Sequence, residues 1–382
     1  MGRAASKLQM AIHELHVTGY RSIRALRLRL KSINVLVGPN GCGKSNLYQS
    51  MYLLAAAPSG QLARTIVAEG GMPSAMWAGD RRKQEKHRVV LGAEIDNLSY
   101  EIGCGLPIPT SGASRLEPTL FGQDPEVKAE TIHFMEGRKR LPMLDRDREN
   151  VWARDIEGKR VSYPFELMPS ESVLSQLREP HRYPQLSALR YEILSWRFYH
   201  HFRTDAEAPT RHPQVGVRTP ILSGDGRDLA AAIQTIYEIG AANDFREAID
   251  NAFPGSEVSV RLEGARFSVE MRMPGIRRAF DARELSDGTL RYLCLLTALL
   301  SPRAPTVLAL NEPETSLHPD LLEPLARLIV RAGRNSQLWI TTHSAALANA
   351  IEEHSGVSPI ALEKVDGETR IVGQKLIDGD ED

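Results

Sequence analysis

The chain has 382 residues, in which 47 Lys and Arg nearly cancel 48 Asp and Glu. That balance excludes a globally basic nucleic-acid coat, so any contact with a phosphate backbone has to come from a local patch. The length suits one large fold carrying an insertion, and the scattered Cys42, Cys104 and Cys294 lack metal-ligand or disulfide-framework spacing, as in a reducing interior.

Residues 12–30 alternate apolar with polar side chains, most clearly Leu26, Leu28 and Leu30 against Arg27, Arg29 and Lys31, which is the period of half-buried strands. A short apolar strand over 33–37 then enters a Gly-rich turn, and 46–57 has helical spacing up to Pro58. Gly, Pro and charge over 59–155 leave two strand candidates, 89–95 and 98–102. Helices are expected over 172–177 and 185–195, the second with Leu186, Leu189, Ile193 and Leu194 on one face; together they read as a helical insertion. Further helices are expected over 227–239 and 245–253, followed by a hairpin over 258–262 and 267–273. The last third alternates helix 289–300, strand 306–310, helix 321–331, strand 337–341 and helix 345–351, with strands near 359–364 and 369–372. Such alternation indicates a parallel sheet covered by helices. The acidic run from Asp378 reads as a frayed tail. No apolar run approaches the roughly 20 residues of a membrane helix. The chain also opens without an apolar signal core, so a soluble, cytoplasmic protein with no membrane contact is expected.

Gly38-Pro39-Asn40-Gly41-Cys42-Gly43-Lys44-Ser45 fits the pattern G-x-x-x-x-G-K-[ST] between a predicted strand and a predicted helix. Glycines there let successive N–H groups point at phosphate, and the helix N-terminus adds favourable potential. Lys44 would neutralise the β- and γ-phosphates of ATP, Ser45 would ligate Mg²⁺, and Asn46 completes the nucleotide-binding set. The apolar strand over 306–310 ends in Asn311-Glu312-Pro313-Glu314, where a parallel sheet places ligand groups. Glu312 is expected to polarise the attacking water as general base. Nucleotide-hydrolysing loops of this kind usually pair with Asp where this chain has Asn311. The amide offers an acceptor to the Mg²⁺ shell without the charge, so slow hydrolysis is expected, with binding without turnover as the alternative.

Leu285-Ser286-Asp287-Gly288-Thr289 stands directly before a predicted helix and resembles the L-S-G-G-Q signature of ABC-type ATPases, with Asp in place of the first glycine. The resemblance implies that Ser286, Asp287 and Gly288 act in trans on ATP held by another copy, so that ATP drives a homodimer. Thr315-Ser316-Leu317-His318-Pro319-Asp320 resembles the D-loop of the RecF, SMC and OLD branch, which singles out Ser316 and His318. Thr341-Thr342-His343-Ser344 resembles its switch segment, and His343 would donate a hydrogen bond to the γ-phosphate. Gly19-Tyr20-Arg21-Ser22-Ile23 resembles the N-F-R-S segment of SMC and RecF relatives, which implies Arg21 as a phosphate ligand. Asp225-Gly226-Arg227-Asp228-Leu229 resembles the D-G-x-N-L segment and reads as structural. The similarity covers about 10–60 and 220–350; for the glutamine loop the sequence offers only Gln84.

The fold class so implied is α/β: a P-loop NTPase of ABC-ATPase type, with a mostly parallel central sheet, flanking helices, an antiparallel β lobe and a helical insertion. The expected division is 1–100 with the phosphate loop, 101–215 as the insertion lobe, and 216–382 with signature, carboxylate strand, D-loop and switch histidine. The expected function is a slow ATPase that uses ATP and Mg²⁺, dimerises with ATP and associates with DNA in repair or antiphage defence. Two basic clusters motivate DNA: Arg27, Arg29 and Lys31 with Arg24, and Arg81-Arg82-Lys83 with Lys86 and Arg88. Asn311 motivates a second reading, a nucleotide-sensing regulatory subunit for a separate effector such as a nuclease. A transporter motor is a third, disfavoured without a clear glutamine loop. About 40 residues follow His343, too few for a nuclease core of their own.

Overall fold

A computed structural model describes residues 11–81, 85, 87–107, 120–137, 139–162 and 167–374. Strands β1 (Ile12–Tyr20), β2 (Ile23–Arg29) and β3 (Ile33–Val37) precede helix α1 (Lys44–Ala56). Short helices α2 (Leu62–Ala68) and α3 (Gly71–Ala75) lead into β4 (Arg88–Ile95), β5 (Leu98–Gly105), β6 (Glu126–Glu136), β7 (Lys139–Asp147), β8 (Asn150–Arg154) and β9 (Arg160–Ser162). Helices α4 (Val173–Gln176) and α5 (Pro184–Ser195) follow, then strands β10 (Arg197–Tyr199) and β11 (Gln214–Val215). Next come helices α6 (Leu229–Ile239) and α7 (Ala242–Ala252), and strands β12 (Glu257–Glu263), β13 (Arg266–Arg272) and β14 (Phe280–Asp281). The chain continues with α8 (Asp287–Leu299), β15 (Val307–Asn311), α9 (Leu322–Ala332), β16 (Gln337–Thr341), α10 (Ala345–Ser355), β17 (Ile360–Val365) and β18 (Glu368–Ile371).

These elements form two compact units. Among the described residues, the first takes those within 11–31, 38–196 and 361–374; the second takes Ser32–Val37 and Arg197–Ile360. The first unit is built on an eight-stranded antiparallel sheet, β2-β1-β4-β5-β6-β7-β8-β9. Leu15, Val17, Leu91 and Ala93 are buried on β1 and β4, and α1 packs on that pair through buried Leu47, Met51 and Leu54. The β17–β18 hairpin also belongs here; Thr369 donates its N–H to the Ser22 carbonyl.

The second unit contains a parallel sheet in the order β10-β15-β16-β3, with Leu310 opposite Ile340 and Ile340 opposite Val35. Every residue of β15 before Asn311 is buried, as a strand covered by helices on both faces requires. Leu325, Ala326 and Ile329 of α9, Leu290, Leu293 and Leu296 of α8 and Leu347 of α10 join the same apolar cluster. At about 1.5–3 kcal/mol for each large apolar side chain buried, this cluster is a main source of that unit's stability. A smaller antiparallel sheet, β11-β13-β12 with β14 paired to β13, supplies the rest of the second unit.

Two sequence expectations need correction. Beyond the two strand candidates read within 59–155, residues 126–162 form the four strands β6 to β9; residues 197–199 form β10, a parallel neighbour of β15. Period-2 reading misses β7 because Pro142 interrupts it, and that proline pairs with His133 beside a register shift, Leu144 being the residue opposite Ile132.

Candidate functional site

The phosphate loop occupies residues 38–43 of the first unit, directly after β3 in the chain. Gly38, Gly41 and Gly43 have φ of 152°, 77° and 107°, in the region that favours glycine. A Cβ on Gly43 would lie 2.0 Å from the Thr369 hydroxyl, and one on Gly38 would lie 2.4 Å from the Leu362 carbonyl oxygen. Thr369 Oγ1 is 2.7 Å from Ser22 Oγ, which accepts from Asn46 Nδ2 at 2.7 Å. Asn46 and Ser22 thus brace the loop from beneath. Pro39, Asn40 and Gly41 form the exposed tip, while Cys42 is buried.

Lys44 opens α1 and is only 4% exposed. Its ammonium donates to the Gly38 carbonyl at 2.6 Å and the Pro39 carbonyl at 3.1 Å, so it closes the loop into a ring of backbone. No side chain caps α1 and no acidic residue stands in its first turn. The N–H groups of that turn therefore present an anion site of the kind that phosphate fills. Ser45 lies exposed on the same turn.

Arg21 has φ 49° and its guanidinium is 2.8 Å from Glu69, which also accepts the Tyr20 hydroxyl at 2.6 Å. Burial and this carboxylate push the Tyr20 phenol well above its ordinary range. Nothing in the sequence pointed to Glu69, which is 48 residues away from Arg21.

In the second unit the carboxylate strand β15 ends at Asn311, whose Oδ1 accepts the Thr341 hydroxyl at 2.7 Å. Glu312 follows at φ 47°, with its N–H on the Thr341 carbonyl at 2.9 Å. Its Oε1 lies 2.9 Å from His343 Nε2, so the predicted base and the predicted switch histidine lie at ion-pair distance from one another. Glu314 holds the switch segment: its Oε1 accepts the Thr342 hydroxyl at 2.7 Å, the His343 N–H at 2.8 Å and the Ser344 N–H at 3.2 Å. Sequence reading gave Glu314 no role, since its partners are set by the pairing of β15 with β16.

The signature segment caps α8. Ser286 Oγ accepts the Thr289 N–H at 3.1 Å, and a Cβ on Gly288 would meet the Ser316 carbonyl oxygen at 2.7 Å. This close approach accounts for the glycine. Asp287, the departure from L-S-G-G-Q, is paired with Arg211. The same buried Arg211 donates to the carbonyls of Leu285 at 2.7 Å and of Ala282 and Arg283 at 3.2 Å. A guanidinium thus offsets the carboxylate at a helix N-terminus. In the D-loop, Ser316 takes φ 63°, and His318 is exposed and caps the next turn through Asp320 N–H. Asp225 and Asp228 both accept from the Ser223 hydroxyl, which makes that segment a braced loop, as read.

The basic stripe on β2 is already partnered. Arg24 pairs with Glu85, and Arg27 and Arg29 lie 3.5 and 3.7 Å from Glu14. Gln84 and the basic residues Arg82, Lys83 and Lys86 lie outside the described residues. Among the described residues no helix is long and apolar enough to cross a membrane.

Two family profiles match. One, described as "AAA domain, putative AbiEii toxin, Type IV TA system", covers residues 170–349; the other, described as "AAA ATPase domain", covers residues 10–87. No curated protein matches the sequence. Solved structures do. The Smc head domain with an extended coiled coil, from Pyrococcus furiosus and bound to the C-terminal domain of ScpA, is 13% identical with a TM-score of 0.52, over 95% of this chain and 96% of that one. The Smc head with a coiled coil and joint from Pyrococcus yayanosii is 11% identical with a TM-score of 0.51, over 95% and 97%. An SmcHead bound to the C-winged helix domain of ScpA is 15% identical with a TM-score of 0.51, over 94% and 97%.

Proposed function

For a chain whose segments match two AAA ATPase profiles and whose fold resembles Smc head domains, we propose a slow ABC-type ATPase of the RecF/SMC branch that ATP closes into a homodimer acting on DNA in repair or antiphage defence. The observation that carries the reading is the 2.9 Å contact of Glu312 with His343. Two segments assigned separately to water activation and phosphate sensing meet at that contact. The loop of the first unit supplies what a triphosphate needs: a glycine cradle that a Cβ would fill, a buried Lys44 and an uncapped helix N-terminus. Ser45 is the residue of that loop proposed to hold Mg²⁺, which when bound would neutralise phosphate oxygens. Glu312 takes the proton of the attacking water on its carboxylate, and the His343 ring 2.9 Å away orients that carboxylate. Lys44 exchanges its carbonyl partners for phosphate oxygens. Ser286, Gly288 and the start of α8 supply the second anion site, offered to the ATP of another copy.

The decisive test is gel filtration of Glu312→Gln with and without ATP and Mg²⁺, repeated with duplex and single-stranded DNA. The expected result is a monomer that becomes a dimer only with ATP and co-elutes with DNA. A monomer under every condition, or turnover unchanged by the substitution, would remove the dimer or the general base respectively.

Asn311 favours a second reading, a nucleotide-sensing subunit for a separate effector such as a nuclease. One acceptor position of its amide oxygen is already taken by Thr341, and it brings no charge to a cation. ATP-dependent dimers without measurable turnover in the wild-type chain would select this reading.

A further inference from the structure

Arg291 lies on the second turn of α8, 4% exposed, and sequence reading gave it no role. Its Nη2 donates to the backbone carbonyl of Glu312 at 2.9 Å, and its Nη1 is 3.2 Å from Nδ1 of His201. We propose that Arg291 is the positioning residue for Glu312, a strut from the signature helix that fixes the turn carrying the base. The proposal rests on the reading of Glu312 given above.

Three observations support it. Glu312 stands at φ 47°, a conformation that residues with a Cβ avoid, so something must hold it there. Its carbonyl is gripped twice, by Arg291 and by the Thr315 N–H at 3.1 Å, and its own N–H is tied to Thr341. With the backbone so constrained, the side chain reaches His343. Stability alone gives a poor account of Arg291. Its hydrogen-bond partners in this place are a neutral carbonyl and an imidazole, and Nε is buried without a partner. Burial lowers its pKa against the attraction of the Glu314 and Glu312 carboxylates, with neither of which it shares a hydrogen bond, and an apolar side chain of similar volume would fill the space without that desolvation. What methionine could not supply is the directed bond to Glu312.

The test compares Arg291→Met and Arg291→Lys with wild type in the full-length chain. If Arg291 acts through the base, Arg291→Met lowers kcat at least about tenfold and leaves KM within about twofold, with the urea midpoint no lower than wild type. Arg291→Lys, which keeps a donor and loses the fork, falls between. In a Glu312→Gln background Arg291→Met has no further effect on residual turnover, because both act on one group. A readout independent of turnover is the ¹H–¹⁵N signal of the His343 imidazole, assigned by its loss in His343→Gln, which shifts in Arg291→Met. Wild-type kcat in Arg291→Met, or an effect that multiplies with that of Glu312→Gln, overturns the strut while leaving hydrolysis intact. A wild-type chain without turnover removes the hydrolysis reading instead. In that case an unmoved His343 signal in Arg291→Met overturns the strut by itself.

Discussion

A methyl group separates the glycines of the phosphate loop. Gly41 and Gly43 both have positive φ, but a Cβ on Gly41 meets nothing within 4 Å, whereas one on Gly43 runs into Thr369. Gly41→Ala therefore carries backbone strain alone, about 1 kcal/mol. Gly43→Ala adds a clash that Thr369 cannot easily yield to, because its hydroxyl is engaged with Ser22, and the cost rises to about 3 kcal/mol. Urea midpoints of the two variants should fall in that order; equal midpoints would mean that the loop and the β17–β18 hairpin are not packed as described. At this scale the sequence was most informative where chemistry is local. Gly43, Lys44 and Ser45 are adjacent, and their meaning lies in their spacing. Arg21, Glu314 and Arg291 have partners 48, 28 and 21 residues distant. Spacing carries no information about such pairs, since chain pairing brings them together.

Elements were legible in proportion to their periodicity. The strands 33–37 and 337–341 were read at their observed bounds, and α8, α9 and α10 within a few residues, because buried parallel strands and amphipathic helices carry strong patterns. The strands β6 to β9 were not legible, and Glu130 shows why. It is a fully buried carboxylate on β6 where a polar residue normally signals the solvent face. Its Oε1 accepts the Tyr100 hydroxyl at 3.0 Å and the Ser172 hydroxyl at 2.6 Å, and its Oε2 accepts the Val173 N–H at 2.7 Å, which seats the start of α4 on the sheet. Glu130→Ala strands those three donors, at a cost of about 2–4 kcal/mol. The pH dependence of that cost has a definite sign. Burial raises the Glu130 carboxyl above its ordinary value, against the opposing hydrogen bonds. The folded chain then binds this proton more tightly than the unfolded one. The resulting stabilisation is full below the unfolded value, near about 4.3, and is lost as pH rises through the folded value. The urea midpoint advantage of wild type over Glu130→Ala should therefore be larger at pH 4 than at pH 7; an advantage that grows with pH would contradict the raised carboxyl.

For the whole molecule the question is how many chains make one working site. Each chain carries one phosphate loop and one signature segment, and in the proposed dimer an ATP held by Lys44 of one copy meets Ser286 of the other. The two halves can then be broken in different chains. Lys44→Ala spoils binding on its own side, and Ser286→Arg fills the start of α8 with a side chain that blocks the other copy's phosphate. Each variant alone should be inactive. Mixed in equal amounts they form heterodimers half the time, and each heterodimer has one site with both halves intact. About a quarter of the wild-type activity per chain should return if the pairing is symmetric and random. A chain that worked alone would gain nothing from mixing, because each copy would keep its own defect. Recovery should also follow protein concentration, since it depends on dimers, and should disappear on dilution below the dissociation constant. No recovery, with both variants folded and the Glu312→Gln chain still dimeric in ATP, would place Ser286 outside the interface and leave the signature segment as a helix cap.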